Sequence, residues 1–285
     1  MDPQNAELLD LLDLQSADEG VFLGPPSQDG WIRVFGGQVL AQALAAASFT
    51  VEDWACHSLH AYFLRPGKPG RPIEYEVSSM RDGSTMATRN VVAVQRDEVN
   101  LQMVASFQAE APGAEHQVQM PDTPPPESFP PEPERMAKLA EGASEEMKKH
   151  LLRRRPLESI RVDPVSFGDT EKRTAPTRTW MRTRGELIDD PNLHRCVLAY
   201  ASDMGALEPC LRAIGGGFGD SSLQVASLDH AIWFHRPFRI DDWLLFVFDS
   251  ASVAAGRGLT HGQVFDRQGR LVASIAQEGL MRGRD

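Results

Sequence analysis

The chain is poor in cysteine, with three among its 285 residues. Cys56, Cys196 and Cys210 are an odd number and form no C-x-x-C pair, which argues against both a disulfide framework and a structural zinc site and fits a reducing cytosol. No stretch approaches the roughly 18 to 20 apolar residues of a membrane span. Met1 to Asp10 carries acids where a secretory signal would have a basic start followed by an apolar run. The last residues, Gly283-Arg284-Asp285, are not a peroxisomal address of the Ser-Lys-Leu type. These absences predict a cytoplasmic protein. Positive charge is also short, with 29 Lys and Arg against 40 Asp and Glu, a net charge of -11. That balance excludes a general nucleic-acid binder, which needs basic patches to release counterions from phosphates. An anionic small molecule is not excluded, because it responds to the local field alone.

The short motifs of several enzyme classes are missing as well. Gly219-Asp220-Ser221-Ser222-Leu223 fails the G-x-S-x-G nucleophile elbow at its last position. No H-E-x-x-H and no Walker A loop occur. Gly215-Gly216-Gly217-Phe218-Gly219-Asp220 ends on Asp and follows a helix, which removes the dinucleotide fingerprint and leaves a loop. Covalent serine chemistry, nucleotide hydrolysis and nicotinamide redox chemistry all lose ground.

What is present is an internal repeat. Ser227 to Pro237 reads Ser-Leu-Asp-His-Ala-Ile-Trp-Phe-His-Arg-Pro, and Ser58 to Pro66 reads Ser-Leu-His-Ala-Tyr-Phe-Leu-Arg-Pro. A Val-Ala-Ser triplet follows each Arg-Pro, 39 residues on from Arg65 at Val104 and 36 residues on from Arg236 at Val272. Two diverged copies of one unit allow function to be confined to one of them. With 41% hydrophobic residues, each copy can build a core.

The pattern predicts a short amphipathic helix over Leu8–Leu14, a buried one over Gly37–Ala47, and strands at Ile73–Ser78, Met86–Gln95 and Val99–Gln108, with a turn at Arg81-Asp82-Gly83. Eight of the twenty prolines lie between Pro112 and Pro133, a segment read as linker. A helix over Met136–Arg155 follows. The second copy reads as strands at Leu157–Val162 and Thr177–Arg184, a helix over Asn192–Leu207, and strands at Val225–Trp233, Leu244–Phe248, Thr260–Phe265 and Leu271–Gln277. The expected division is a first copy over 1–111, a linker over 112–135, and a second copy over 136–285 carrying the reactive residues.

Comparing the copies picks out polar gains in the second. Five residues on from Val104 stands Ala109, whereas five on from Val272 stands Gln277. Asp203 ends an apolar stretch, Val197 to Ala201, in a helix whose first-copy counterpart offers only Gln42. A carboxylate in such surroundings is costly unless paired or functional. Ser227 joins these two if its strand and the last strand both pass beside the helix. His57, His60, His230 and His235 are possible bases, although a histidine satisfied within a core is the commoner state. Arg65 and Arg236 recur in both copies and suggest a shared structural task. Lys68, Arg71, Arg153 to Arg155 and Arg239 are candidate phosphate-binding groups.

The segments Val34 to Val39, His57 to Gly67, Tyr200 to Asp203, Leu228 to Phe238 and Gln277 to Arg282 together resemble the type II acyl-CoA thioesterases. The resemblance implies an α+β double hotdog, in which two long buried helices are each wrapped by antiparallel strands that join into one sheet. It implies hydrolysis of medium- to long-chain fatty acyl-CoA to fatty acid and CoA by an oriented water, with no metal and no organic cofactor. The family's Asp, Thr and Gln fall on Asp203, Ser227 and Gln277. Ser227 departs from the usual threonine, keeping the hydroxyl and losing the methyl. In this reading Asp203 is the base, Ser227 and Gln277 position the water, and Gly36, Gly37 and His57 contact substrate, the two glycines through N–H groups at a helix start. Acyl-CoA is the expected substrate, nucleic acid and membrane are not expected partners, and a homo-oligomer, dimer or tetramer, is. A hotdog enoyl-CoA hydratase and a non-catalytic acyl-CoA-binding protein remain as alternatives.

Overall fold

The computed structural model describes residues 5–26, 33–52, 54–141, 156–165, 169–217 and 222–283, together with 145, 148 and 152. In the first half, the short helix α1 (Ala6–Leu12) and strands β1 (Gln15–Asp18) and β2 (Val21–Gly24) precede the helix α2 (Gly36–Ser48). Strands β3 (Ala55–Phe63), β4 (Ile73–Asp82), β5 (Met86–Gln95) and β6 (Glu98–Gln108) then follow. After the proline-rich segment come α3 (Glu132–Leu139), β7 (Leu157–Arg161), β8 (Thr177–Thr183), α4 (Pro191–Ser202) and α5 (Glu208–Ile214). The chain ends with β9 (Leu223–Ser227), β10 (Asp229–Phe234), β11 (Leu244–Ala254), β12 (Arg257–Phe265) and β13 (Leu271–Gly283).

Among the described residues the strands form one antiparallel sheet in the order β1-β2-β4-β5-β6-β3-β10-β13-β12-β11-β8-β7, with β9 paired to β13. The order mirrors itself about the β3–β10 seam, where Leu59 faces Ile232 and Ala61 faces His230. This is the expected double hotdog. Helix α2 has almost no wet side, since Gly37 through Ala47 are all buried, and it packs against β2 to β6 and against α4. A helix apolar all round needs such a wrapping. Its two side-chain amides are satisfied: Gln42 Nε2 donates to Leu11 O at 2.7 Å, Tyr75 Oη donates to Gln42 Oε1 at 2.7 Å, and Gln38 Nε2 donates to Pro25 O at 3.3 Å. One hydrophobic cluster runs through both halves, from Leu40 and Leu44 to Val197, Leu198 and Phe246.

Several boundaries differ from the sequence reading. Strand β4 continues through Arg81 and Asp82, so the turn begins only at Gly83. The linker contains the start of α3, because Pro133 sits in the first helical turn, where a missing N–H costs nothing. Most of the helix expected over Met136–Arg155 lies outside the described residues, as do Arg153 to Arg155 and residues 218–221 of the glycine loop. The helix expected to reach Leu207 stops at Ser202, and a separate helix, α5, packs on β11 and β12. The strand expected over Val225–Trp233 is two strands, broken at Leu228.

That break positions the site. Strand β13 pairs with β10 through Ala273 to Ala276 and with β9 through Gly279 to Gly283. Leu228 bridges the change, its N–H donating to Glu278 O and its carbonyl accepting from Phe63 N–H, both at 2.9 Å. Ser227, the last residue of β9, and Gln277, between the two paired stretches of β13, are thereby brought side by side.

Candidate active site

Asp203 is the C-cap of α4, and Met204 N–H closes the helix end on Ala201 O at 2.9 Å. The carboxylate therefore lies at a helix terminus and half-buried, not in the middle of an apolar helix as the sequence suggested. The negative end of the helix dipole is a poor neighbour for an anion. Compensation comes from the other half of the chain: the Gly37 N–H, in the first turn of α2, donates to Asp203 Oδ2 at 2.9 Å. Two helix ends of opposite polarity thus meet at one carboxylate.

The other oxygen, Oδ1, accepts from Ser227 Oγ at 3.1 Å and from Gln277 Nε2 at 2.9 Å. Gln277 Nε2 also donates to Ser227 Oγ at 2.8 Å, closing a triangle of acid, hydroxyl and amide. Gln277 is on the core face of β13 and only 1% exposed, whereas Asp203, Ser227 and Gly36 are half-buried. The group has an accessible front and a sealed back. Lone pairs remain on the carboxylate and on the serine oxygen, which can hold a water and accept its proton. Phe35, Phe63 and Tyr200, also half-buried, put rings around it, with Phe35 and Tyr200 in edge contact at 5.1 Å.

The two glycines at the start of α2 are required by close approach. A Cβ on Gly36 would stand 2.8 Å from Asp203 Oδ2 and 3.2 Å from the Phe63 ring, and one on Gly37 would stand 2.5 Å from Tyr200 O. Gly37 spends its N–H on Asp203. Gly36 N–H, with no partner among the described residues, is the one left to meet a ligand.

Three candidates fall away from the site. His57 lies on β3 six residues before Phe63, about 20 Å away at the usual strand rise, and bonds Ser106 Oγ at 2.8 Å. His235 makes the same kind of pair with Ser274 at 2.8 Å, so each copy ties a histidine to the serine of its Val-Ala-Ser triplet. His60 is exposed and meets the Trp233 ring edge-on at 5.1 Å. The repeated arginines do have a shared task, since Arg65 donates to Val99 O at 3.3 Å and Arg236 to Leu271 O at 2.9 Å. Arg239 is committed to Asp241 and Asp189. Trp233 is turned outward, while Leu40 and Leu44 are wholly buried. A surface cavity of about 300 Å³ at Val21, Val77 and Asn90 lies on other elements and touches none of the triangle.

Sequence reasoning missed His230 as a member of the group. It is 1% exposed, and its Nδ1 lies 2.7 Å from Gln277 Oε1 and its Nε2 2.8 Å from Ser202 Oγ. The signal was available in the alternation along β10, where His230, Ile232 and Phe234 share the core face.

Comparison with known proteins gives a consistent result. The family described as "Acyl-CoA thioesterase" matches residues 158–280, and "Acyl-CoA thioesterase N-terminal domain" matches residues 25–108. The chain is 39% identical to "Acyl-CoA thioesterase 2" of Haemophilus influenzae, over 96% of each chain. It is 35% identical to human "Acyl-coenzyme A thioesterase 8", over 95% of this chain and 88% of that one. Among solved structures, an acyl-CoA thioesterase II from Mycobacterium marinum superimposes with a TM-score of 0.78 at 37% identity, covering 98% of both chains. A tesB protein of Mycobacterium avium subsp. paratuberculosis reaches a TM-score of 0.82 at 30% identity, covering 98% and 99%.

Proposed function

Because the chain belongs to the acyl-CoA thioesterase family, we propose that it hydrolyses medium- to long-chain fatty acyl-CoA through a water held by Asp203, Ser227 and Gln277. The thioester hydrolase activity follows from the family. The residue roles rest on one observation, the closed triangle at Asp203, in which every hydrogen bond has a donor and an acceptor. A thioester carbonyl is electrophilic enough for water to attack it directly when the water is held in line. Asp203 takes the proton, Ser227 and Gln277 fix the water's orientation, and the Gly36 N–H faces the charge that develops on the carbonyl oxygen.

The half-buried rings of Phe35, Phe63 and Tyr200 supply an apolar surface for the acyl chain. The loop between β3 and β4 lies against the residues that lead into α2, with Val34 N–H donating to Gly67 O at 3.0 Å. Lys68 and Arg71 on that loop are exposed and suit the phosphates of CoA. The chain is read as a copy over 1–111, a connection over 112–135 and a copy over 136–285, with the reacting carboxylate at their junction.

The protein is also read as a homo-oligomer, dimer or tetramer. At the seam of the sheet, Tyr62 is 63% exposed and Trp233 and Val104 are 36% exposed on the outer face. An apolar patch that straddles a pseudo-twofold seam suits a self-complementary contact.

Thiol release measured across acyl-CoAs of increasing length tests the substrate reading. Rising kcat/KM from acetyl-CoA to medium and long chains is expected. Equal or higher rates on acetyl-CoA would overturn the chain-length reading, and no release from any acyl-CoA would overturn the activity.

A further inference from the structure

One buried titratable group touches the triangle and has no part in the reaction as written. His230 stands one position beyond the Ala231–Ala276 pair of the β10–β13 ladder, so it faces Gln277 across the strands. Its neighbour is an amide, and an amide has two ends of nearly equal shape and opposite hydrogen-bonding character. Turned over, Gln277 would aim a carbonyl oxygen at the Asp203 carboxylate and at no donor but the serine hydroxyl. Packing cannot distinguish the two orientations. A hydrogen-bond partner behind the amide can.

We propose that His230 is a positioning residue that holds the Gln277 amide with its N–H end toward Asp203 and Ser227. The inference rests on the reading of those three residues as the group that orients the water. Gln277 Nε2 is within bonding distance of both Asp203 Oδ1 and Ser227 Oγ, which leaves Oε1 facing His230 Nδ1 at 2.7 Å. An oxygen at that distance requires the hydrogen to be on Nδ1. Burial, the largest influence, holds the imidazole below its ordinary pKa against the opposing pull of Asp203, the Gln277 bond and Asp229, so the ring is neutral and Nε2 is bare. Ser202 Oγ lies 2.8 Å from Nε2 and 2.9 Å from Ala199 O, and in this arrangement its single hydrogen goes to the bare Nε2 in place of that carbonyl. The Nδ1 hydrogen holds the amide oxygen, and the amide thereby presents its donors to the reacting end.

The test is a double-mutant cycle in the full-length protein, read as kcat and KM for acyl-CoA hydrolysis. His230→Leu is expected to lower kcat about 10- to 100-fold, the scale of a misplaced reacting group, with KM changed by less than about twofold. His230→Asn, whose amide nitrogen reaches the position of Nδ1, restores most of the loss. In a Gln277→Ala background His230→Leu costs nothing further, because the pair acts as a unit. Full kcat in folded His230→Leu, no rescue by Asn, or the same loss with and without Gln277 each overturns the inference and leaves the triangle standing. Full kcat in Gln277→Ala overturns the triangle itself. Should His230→Leu fail to fold, nitrogen NMR of labelled histidine in the unaltered protein decides: hydrogen on Nδ1 and none on Nε2 is expected, and the reverse tautomer contradicts the proposal.

Discussion

Asp203, Ser227 and Gln277 come from three elements far apart in the chain, yet Asp203 and Gln277 were legible from sequence because a duplicated chain carries its own control, whereas Ser227 has a counterpart in Ser58 and rested on the resemblance. Polar residues that interrupt an apolar frame in one copy and not in the other stand out without any structure. His230 did not stand out, because it looks like His60, its neighbour in the motif. The structure separates them by strand parity: His230 points into the core, and His60 points outward against Trp233. His57, named as a substrate contact under the resemblance, instead bonds Ser106 far along β3 from the triangle. The β3–β6 register shifts between Cys56 and Ser58, at His57 itself.

The buried histidines have a consequence for stability. Burial depresses the imidazoles of His194 and His230 below the ordinary value of 6.5. Below that pH the unfolded chain takes up protons that the folded chain refuses, so the stability is present above about 6.5 and is lost as pH falls toward the folded values. Melting temperature is expected to be flat from about pH 8 to 7 and to fall steadily below about 6.5. His230→Asn should flatten that fall. A variant with an unchanged slope would assign the pH dependence to other groups.

At the scale of elements, the site depends on how closely the first turn of α2 approaches the last turn of α4. Gly37 allows the approach, and the Tyr200 carbonyl fills the space its side chain would need. Alanine in a helix ordinarily stabilises by about 1 kcal/mol relative to glycine. Gly37→Ala is expected to do the opposite, costing about 1 to 3 kcal/mol through overpacking and lowering activity as Asp203 loses its N–H partner. Thermal melts that show stabilisation would mean that the helices part without cost. The helix ends themselves were poorly legible. Residues up to Leu207 keep helix-forming character, but Gly205 adopts a left-handed φ of +81° and starts a second helix on a new axis. The β9–β10 break was hidden in the same way: Leu228 is a good strand residue, and what ends the strand is a partner change along β13.

At the scale of the whole molecule, the doubled motif predicted two copies of one unit and the apolar Gly37–Ala47 stretch a wrapped helix, while the joining of the strands into one mirrored sheet was what the resemblance implied. The contact between copies was not legible, since it depends on where two helix ends meet. The outward patch at the seam, Tyr62 with Trp233 and Val104, is the expected contact between protomers. Tyr62→Glu combined with Trp233→Glu should shift sedimentation to the monomer with the fold intact. Unchanged sedimentation would contradict a contact between protomers at this patch.

The account as a whole requires that a carboxylate from the second copy, anchored by the first, is the base. The most direct measurement is kcat for acyl-CoA hydrolysis by Asp203→Asn, a substitution that keeps the shape and removes the charge. A loss of about 10²- to 10⁴-fold with an unchanged melting curve is expected for a general base. Wild-type turnover in that folded variant would contradict the account.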